Sequence, residues 1–517
     1  MSDQVVPNER LIPPTDGCTV RMYRTGHGDC FLLAFAGKTE DKPVYVLIDC
    51  GYKPGSPKYI KTSSKKIGES IRVATGGHVD IAVITHEHQD HVNGITEANF
   101  KSITIGEVWF AWTEDPEDPL ANRLRLLFKD KLLGLIAARN RLAAAGDEGQ
   151  KLVGRIDDLL EFELGGNKRF DLKSAAALLG AGGNAANSMN KKSMKLFKDR
   201  AQKGIRYLRP HQEILLIPGA GNARAFTLGP PCDEAQLKDL DPQGEEAFHR
   251  FGLAAASPGN YFAAAARGGE SPFARRYCVP LAAAPTDSEY AAFFRSRYGD
   301  RNTPLSYTSR SFADEENQAP DNPEWRRIDE EWLYSAEQLA LDMSDYTNNA
   351  SLVLAFELGK GGKVLLFAAD AQRGNWVSWA RADWNDGAEK VTTRDLLART
   401  VLYKVGHHGS HNATLNGDRD SQTPNLSWMA QGEHAREFTA MITAVRAWAE
   451  TQKGWDHPLQ SIKDALLLKA SGRVFQTDTP LAQMKPPANG SVADWKRFQA
   501  HCTGHALYFD YRVTGTD

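Results

Sequence analysis

The sequence predicts an α/β fold carrying two large, partly helical insertions, and three observations lead there. Short apolar runs bounded by Gly, Asp or Lys cluster near both ends of the chain. Stretches of helical periodicity separate the two clusters. One apolar run, Ile81 to Ile84, stops at a turn crowded with imidazoles and carboxylates, THEHQDH. Runs rich in Val, Ile, Tyr and Phe with this punctuation are strands. Several are apolar throughout, as strands covered on both faces must be.

Taken in order, residues 18–114 hold TVRMYRT, CFLLAFAG, PVYVLIDCG, DIAVITH and EVWFAW, each a predicted strand. Residues 115–204 form a helical insertion: NRLRLLFKDKLLGLIAARNRLAAA sets Leu124, Leu127, Phe128, Leu132 and Leu135 at helical spacing. KLVGRIDDLLEF and KSAAALLG continue it, and the basic stretch NKKSMKLFKDRAQKG closes it. Strands resume over 205–232 with QEILLIPG and ARAFTLGPP. Residues 233–346 are rich in Ala, Gly, Pro and charge, with short helical pieces such as DEEWLYSAEQLALDM. An irregular stretch of this length inside a domain suggests a lid or a partner-binding insertion, or a plain decoration. Residues 347–515 return to strands: ASLVLAFELG, KVLLFAAD, VLYKVGHHG, GRVFQTD and ALYFDYRV, with HAREFTAMITAVRAWAETQ read as a helix among them.

The composition narrows the function classes. With 41% hydrophobic and 25% charged residues, the 517-residue chain can bury a sizeable core. A formal net charge of -3 argues against wholesale binding to nucleic acid or acidic membranes. Six cysteines without a C-x-x-C pair read as isolated thiols in a reducing compartment. The N-terminus MSDQVVPNERLIPPTDG lacks a secretory signal, and no apolar run reaches about 18 residues. The expectation is a cytoplasmic protein with no membrane partner.

On a turn leaving a strand, His86, His88, Asp90 and His91 can converge. Neutral imidazole and carboxylate at this density suit Zn²⁺ or Mn²⁺. Four ligands from one turn exceed the needs of one ion that also keeps a water, so they divide better between two ions. Further donors stand just after two later strands, Asp370 in KVLLFAADAQ and His407 and His408 in VLYKVGHHGSH.

HEHQDH resembles the H-x-H-x-D-H signature of the metallo-β-lactamase fold, an αββα sandwich. RTGHGDCFLLAF and YVLIDCG resemble the strands that open that fold. NNASLVLAFELGKGGKVLLFAADAQ and VLYKVGHHGSH resemble the N-x-x-S-L-V-L, G/A-D and K-x-x-H-H-G-S motifs of one branch. That branch includes the C-terminal domain of ComEC-type DNA-uptake proteins and related phosphodiesterases and esterases. The resemblance covers 18–112, 205–232 and 347–515. It implies that His86 and His88 bind one zinc ion, that Asp90, His91 and His408 bind a second, and that Asp370 bridges them. It further implies that His407 contacts substrate or donates a proton, with Asp90 as the other proton shuttle. Ser410 would hydrogen-bond a substrate oxygen. Asp49 would orient a ligand imidazole or the metal-bearing loop, Asp29 would tie down its turn, and Asn349 would support the site or its substrate.

There is one departure. TLGPPCD has Gly229 where many members supply a further histidine, which leaves the first ion one ligand short.

The resemblance implies a hydrolase in which a metal-bound hydroxide attacks, most simply a phosphodiesterase or nuclease. Lys191, Lys192, Lys195, Lys198 and Arg200 are then candidates for tracking a phosphate backbone, against the plainer reading of a solvated helix face. The alternatives are hydrolysis of a carboxylic ester, lactone or amide at the same metals, and an accessory protein whose insertions bind a protein partner.

Overall fold

The apolar runs near the N-terminus form strands because alternate side chains can be buried on opposite faces. β1 (Cys18–Tyr23), β2 (Phe31–Phe35), β3 (Val44–Ile48), β4 (His78–Ile84) and β5 (Thr104–Ala111) follow one another, and β6 (Ala201–Leu208) comes after the helical region. In β2, Phe31, Leu33 and Phe35 enter one apolar cluster while Leu32 and Ala34 enter another. The structure is a computed structural model that describes residues 6–39, 42–143, 146–164, 188–248, 343–452 and 455–515.

The later strands are β7 (Leu215–Leu216), β8 (Ala223–Gly229), β9 (Val353–Leu358), β10 (Val364–Phe367), the hairpin β11 (Asp383–Asp386) and β12 (Glu389–Thr392), β13 (Thr400–Lys404), β14 (Thr439–Ile442), β15 (Val474–Gln476), β16 (Cys502–Gly504) and β17 (Tyr508–Val513). Two mixed sheets result. The first runs β16-β17-β1-β2-β3-β4-β5-β6 and the second β15-β14-β13-β10-β9-β8-β7. In the first, β3 to β6 are parallel. In the second, β10, β13, β14 and β15 are parallel. The C-terminal β17 pairs with β1, so the two ends of the sequence close one sheet.

The facing sides of the sheets share one apolar layer. Ring centroids of Phe31 and Phe367 are 5.4 Å apart, and those of Phe35 and Phe356 5.5 Å. Helices cover the outer faces. Ser64–Thr75 and Met189–Arg200 pack on the first sheet through Ile67, Ile71, Met194 and Phe197. Arg373–Trp379, Thr393–Ala398 and Gln460–Lys469 pack on the second through Trp376, Trp379, Leu396, Leu397, Ile462 and Leu466. The chain is therefore a mixed α/β protein.

Two local expectations are overturned. HAREFTAMITAVRAWAETQ is not one helix. Its centre is β14, and only Arg446–Ala449 makes an α-helical turn after it. Met441 enters the layer between the sheets while Ala440 and Ile442 enter the outer one, so a four-residue run is buried on both faces. Such a run has no period that separates strand from helix. The basic stretch also ends early, at Arg200, where β6 begins along the edge beside β5. Its residues Gln202 to Ile205 are exposed and polar enough to hide the strand.

The chain divides into two units, Met1–Leu126 with Leu160–Ala255 and Met343–Asp517, and Leu127–Leu159 with Ala256–Asp342. Both sheets belong to the first. Helices Pro119–Ala143 and Gly146–Leu164 are shared between the units. In the second unit Arg139 binds Asp157 through two hydrogen bonds of 2.8 and 2.7 Å. KSAAALLG and residues 249–342 lie outside the described residues, and with them the lid and partner readings of that insertion. Cys18, Cys30, Cys50, Cys232 and Cys502 are free thiols. Among the described residues no helix is long and apolar enough to cross a membrane.

Candidate metal centre

The parallel strands of both sheets end at the same place. Asp49 follows β3, residues 85–91 follow β4, Asp370 follows β10, His407 and His408 follow β13, and Thr443 follows β14. The carboxyl ends of parallel strands are where such sheets build sites, because the chain must turn there and its side chains converge. The turns are sharp. Asp49, Ala369, His407 and His408 have φ of 53°, 47°, 40° and 53°. Left-handed backbone in a non-glycine residue costs about 1–3 kcal/mol and gathers at functional sites. The turn after β4 also needs close backbone approach. A Cβ at Gly51 would lie 2.4 Å from the Asp90 carbonyl oxygen, and one at Gly28 would lie 2.6 Å from it.

Four side chains form the heart of the cluster. Asp90, His91, Asp370 and His408 are all buried and each offers an atom within 4.8 Å of the others. His91 Nε2 lies 3.1 Å and His408 Nε2 3.6 Å from Asp370 Oδ2. His408 Nε2 is 3.1 Å from Asp90 Oδ2. His86 and His88 stand beside them, with His86 Nε2 3.9 Å from Asp370 Oδ2 and 3.1 Å from His88 Nδ1.

The remaining nitrogen of each imidazole is tied elsewhere. His91 Nδ1 donates to Asp49 Oδ2 at 2.8 Å. Asp49 also accepts from the Thr85 amide and hydroxyl at 2.9 and 2.6 Å, which leaves the Thr85 oxygen to accept from His86 Nδ1 at 3.1 Å. Ser351 Oγ is also 3.1 Å from His86 Nδ1. His408 Nδ1 donates to Thr443 Oγ1 at 2.9 Å, and Thr443 donates to Asp29 Oδ1 at 2.5 Å. His88 Nε2 donates to Glu163 Oε1 at 2.9 Å. With one nitrogen of every ring occupied, the lone pairs that remain are His86 Nε2, His88 Nδ1, His91 Nε2 and His408 Nε2. Histidine ligands are oriented in this way, by a partner on the far nitrogen.

These residues fit a Zn²⁺-type ion. Bonds of about 2.0–2.1 Å in a tetrahedral shell set donor atoms about 3.3 Å apart, close to the separations here. Asp90 Oδ1, His91 Nε2 and both Asp370 carboxylate oxygens are buried without a hydrogen-bond partner. Leaving such groups unpaired is costly, and a cation within the cluster would satisfy them. The charge agrees. Asp29, Asp49, Asp90, Glu163 and Asp370 are buried against two buried ammonium groups, Lys53 and Lys404. Burial opposes it, yet Lys53, His408 and His91 hold the Asp90 carboxyl well below the ordinary range. Burial likewise opposes protonation of His91, but Asp370, Asp29 and Asp49 pull its pKa well up. A cation bound at Nε2 would displace that proton.

Other residues singled out in the sequence stand around this core. Asp29 accepts from the Lys404 ammonium at 2.5 Å, and its amide donates to the Asp90 carbonyl at 3.0 Å. His407 Nε2 is 3.3 Å from Asn348 Nδ2, while His407 Nδ1 is buried without a partner. Burial pushes the His407 pKa down to about 3. Ser410 is buried, and its amide donates to the His407 carbonyl at 2.8 Å. Asn349 is bound by other loops. Its amide group donates to the carbonyls of Gln236 and Leu237 and accepts from the Gln372 amide, so it ties loops together, and its neighbour Asn348 is the one that reaches His407. At Gly229 a Cβ would come within 2.0 Å of Asn375 Oδ1, so a side chain there requires the Asn375 amide to move. His211 stacks on Trp384, and His249 lies outside the described residues.

The basic helix is largely self-compensated. Lys191 pairs with Glu87 and Glu114, Lys195 with Asp199, Lys198 with Glu114, and Arg200 with Glu97. Glu87, from the metal turn itself, thus points out of the cluster.

Sequence reasoning passed over Lys53, Glu163, Thr443, His27 and His457, and gave no role to Ser351 and Lys404, which stand in the quoted motifs. Lys53 Nζ lies 3.6 Å from Asp90 Oδ2 and over the Phe162 ring, and burial lowers its pKa to about 8. His27 packs 4.6 Å from the His408 ring, with His457 Nδ1 3.3 Å from its Nε2. A role for Lys404 was legible, as the only charge in the apolar run VLYKV. Glu163 carries no local signal. No protein-family model matches the chain, and no curated protein matches it either.

Proposed function

We propose that the chain is a metal-dependent hydrolase of the metallo-β-lactamase type, acting on a phosphodiester. The observation that carries this reading is the convergence of four imidazole lone pairs and two carboxylates, each imidazole tied through its far nitrogen, at strand ends between two helix-covered sheets. The motifs that resemble that fold hold the same residues. His86 and His88 would hold one ion, Asp90, His91 and His408 a second, with Asp370 between them. A bound Zn²⁺ or Mn²⁺ supplies acidified water and draws negative charge from a substrate oxygen.

The chain's own residues supply the rest. Asp49, Thr443 and Glu163 keep the ring lone pairs on one centre. His407 is neutral in this buried setting; with Nε2 facing the Asn348 amide, Nδ1 keeps the proton and donates a hydrogen bond to a substrate oxygen. Lys53 adds a cation beside Asp90, which favours an anionic substrate over a neutral ester. Because four cations of the basic helix are already paired, a compact phosphodiester suits the site better than a long nucleic acid.

The test combines metal analysis of the purified protein with turnover of bis(p-nitrophenyl) phosphate, p-nitrophenyl acetate and a chromogenic lactam, with and without chelator. Chelator-sensitive cleavage of the phosphodiester supports the reading. Turnover of the ester or lactam alone moves the substrate to a carbon electrophile. A protein that takes up no divalent metal would sink the hydrolase reading and leave an accessory role.

A further inference from the structure

We infer that Glu163 is the positioning residue that turns Nδ1 of His88 toward the metal, so that the last turn of helix Gly146–Leu164 completes the centre. The inference rests on the metallohydrolase reading of the same site.

His88 Nε2 and Glu163 Oε1 are 2.9 Å apart, with side chains 0% and 3% exposed. A carboxylate can only accept here, so Nε2 carries the proton and Nδ1 the lone pair. That lone pair faces His86 Nε2 at 3.1 Å. The same logic holds for His91 with Asp49 and for His408 with Thr443 and Asp29, but those partners come from strand ends. His88 has its carboxylate from a helix more than seventy residues away in sequence.

Glu163 is itself held in place. Its Oε2 is 3.4 Å from the donating Thr347 hydroxyl. The buried Asn190 amide donates to the carbonyls of Phe162 and Glu163 at 3.0 and 3.1 Å, which satisfies two of the helix's terminal acceptors. The Phe162 ring packs 4.1 Å from the His88 ring. A side chain at Gly229 would have to displace the Asn375 amide, and the His86–His88 pair has a carboxylate behind it instead. The competing explanation is a plain buried ion pair that steadies the fold and leaves metal binding alone.

The test uses full-length wild type, Glu163→Gln and Glu163→Ala with Co²⁺ as the probe. Stoichiometry comes from elemental analysis, affinity from chelator competition, ligand geometry from the visible spectrum, and folding from melting of the metal-stripped proteins. Removing an outer partner of a histidine ligand typically costs about 10–100-fold in affinity. Glu163→Ala should therefore weaken the Co²⁺ bound through His86 and His88 by about that factor and change its spectrum, with the remaining Co²⁺ unaffected. Glu163→Gln keeps an acceptor oxygen and should fall between Ala and wild type; it carries the test if the alanine variant does not fold. Folded variants that bind Co²⁺ as wild type does overturn the inference while the metallohydrolase reading stands. Wild type that takes up no Co²⁺ overturns both.

Discussion

His91, His408 and His86 are steadied by residues at strand ends, whereas His88 leans on a residue at the end of a helix. In the His91–His408 half, Asp49, Thr443, Asp29 and Lys404 all sit at or just beyond strand ends, and they link to one another as well as to the rings. In the other half, His86 reaches Thr85 after β4 and Ser351 before β9, and His88 reaches Glu163 at a helix end. A side chain fixed by the sheet core shares the stability of that core. One fixed by a docked helix is only as well placed as the docking, and can be lost by local opening while the sheets stay folded. If each half holds an ion, as proposed, the two should differ in how readily they leave.

Asp370 is the residue common to both halves, and its loss should have the largest effect. Asp370→Ala should lower affinity by more than the roughly 100-fold that removal of an outer partner reaches, and should do so for all bound Co²⁺ at once. Retention of one tightly bound ion in that variant would show that Asp370 serves one half only.

Next comes Lys404, the cation of the His91–His408 half. It is 1% exposed, donates to Asp29 and to the Ala369 carbonyl, and lies 3.5 Å from Asp370 Oδ1. Lys404→Met leaves two buried carboxylates uncompensated and should cost about 3–5 kcal/mol in chemical denaturation of the metal-stripped protein. A loss no larger than that of Glu163→Ala would remove the distinction drawn between the halves.

Asp49→Asn should act on metal binding more than on folding. Asparagine keeps one acceptor for Thr85 but turns an amide donor toward His91 Nδ1 or the Thr85 hydroxyl. Affinity should fall by about 10–100-fold, in the ion bound through Asp90, His91 and His408. The spectrum of the other ion should change less, because Asp49 reaches His86 only through the Thr85 hydroxyl. The smallest effect is expected from Lys195→Ala. Its ammonium pairs with Asp199 on the exposed face of the same helix. Melting, metal content and phosphodiester turnover should all match wild type, and a clear fall in turnover would return the basic helix to the substrate path.

The strands β3, β4, β10 and β13 that carry the site were readable because each holds a continuous apolar stretch shortly before a turn with charged or imidazole side chains, as β4 does from Ile81 to Ile84 ahead of His86. β14 and β6 were not. One is a four-residue run buried on both faces, and the other is a polar edge strand, so neither has a two-residue period to detect.

What the sequence determined by itself is therefore local. His86, His88, Asp90 and His91 share one turn, and Asp370 and the His407–His408 pair each follow an apolar strand, so chemistry and position could be read together. What the tertiary structure decided is which far partner fixes each ring: Asp49 for His91, Thr443 and Asp29 for His408, Glu163 for His88. The same holds for which cations remain for a substrate, with Lys53 beside Asp90 and Lys191 spent on Glu87. The physical reason is that hydrophobic period and turn chemistry act between near neighbours in sequence. A hydrogen bond from His88 to Glu163, or an ion pair from Lys404 to Asp29, exists only once sheet pairing and helix docking have brought distant segments together, and nothing in either segment alone marks the partner.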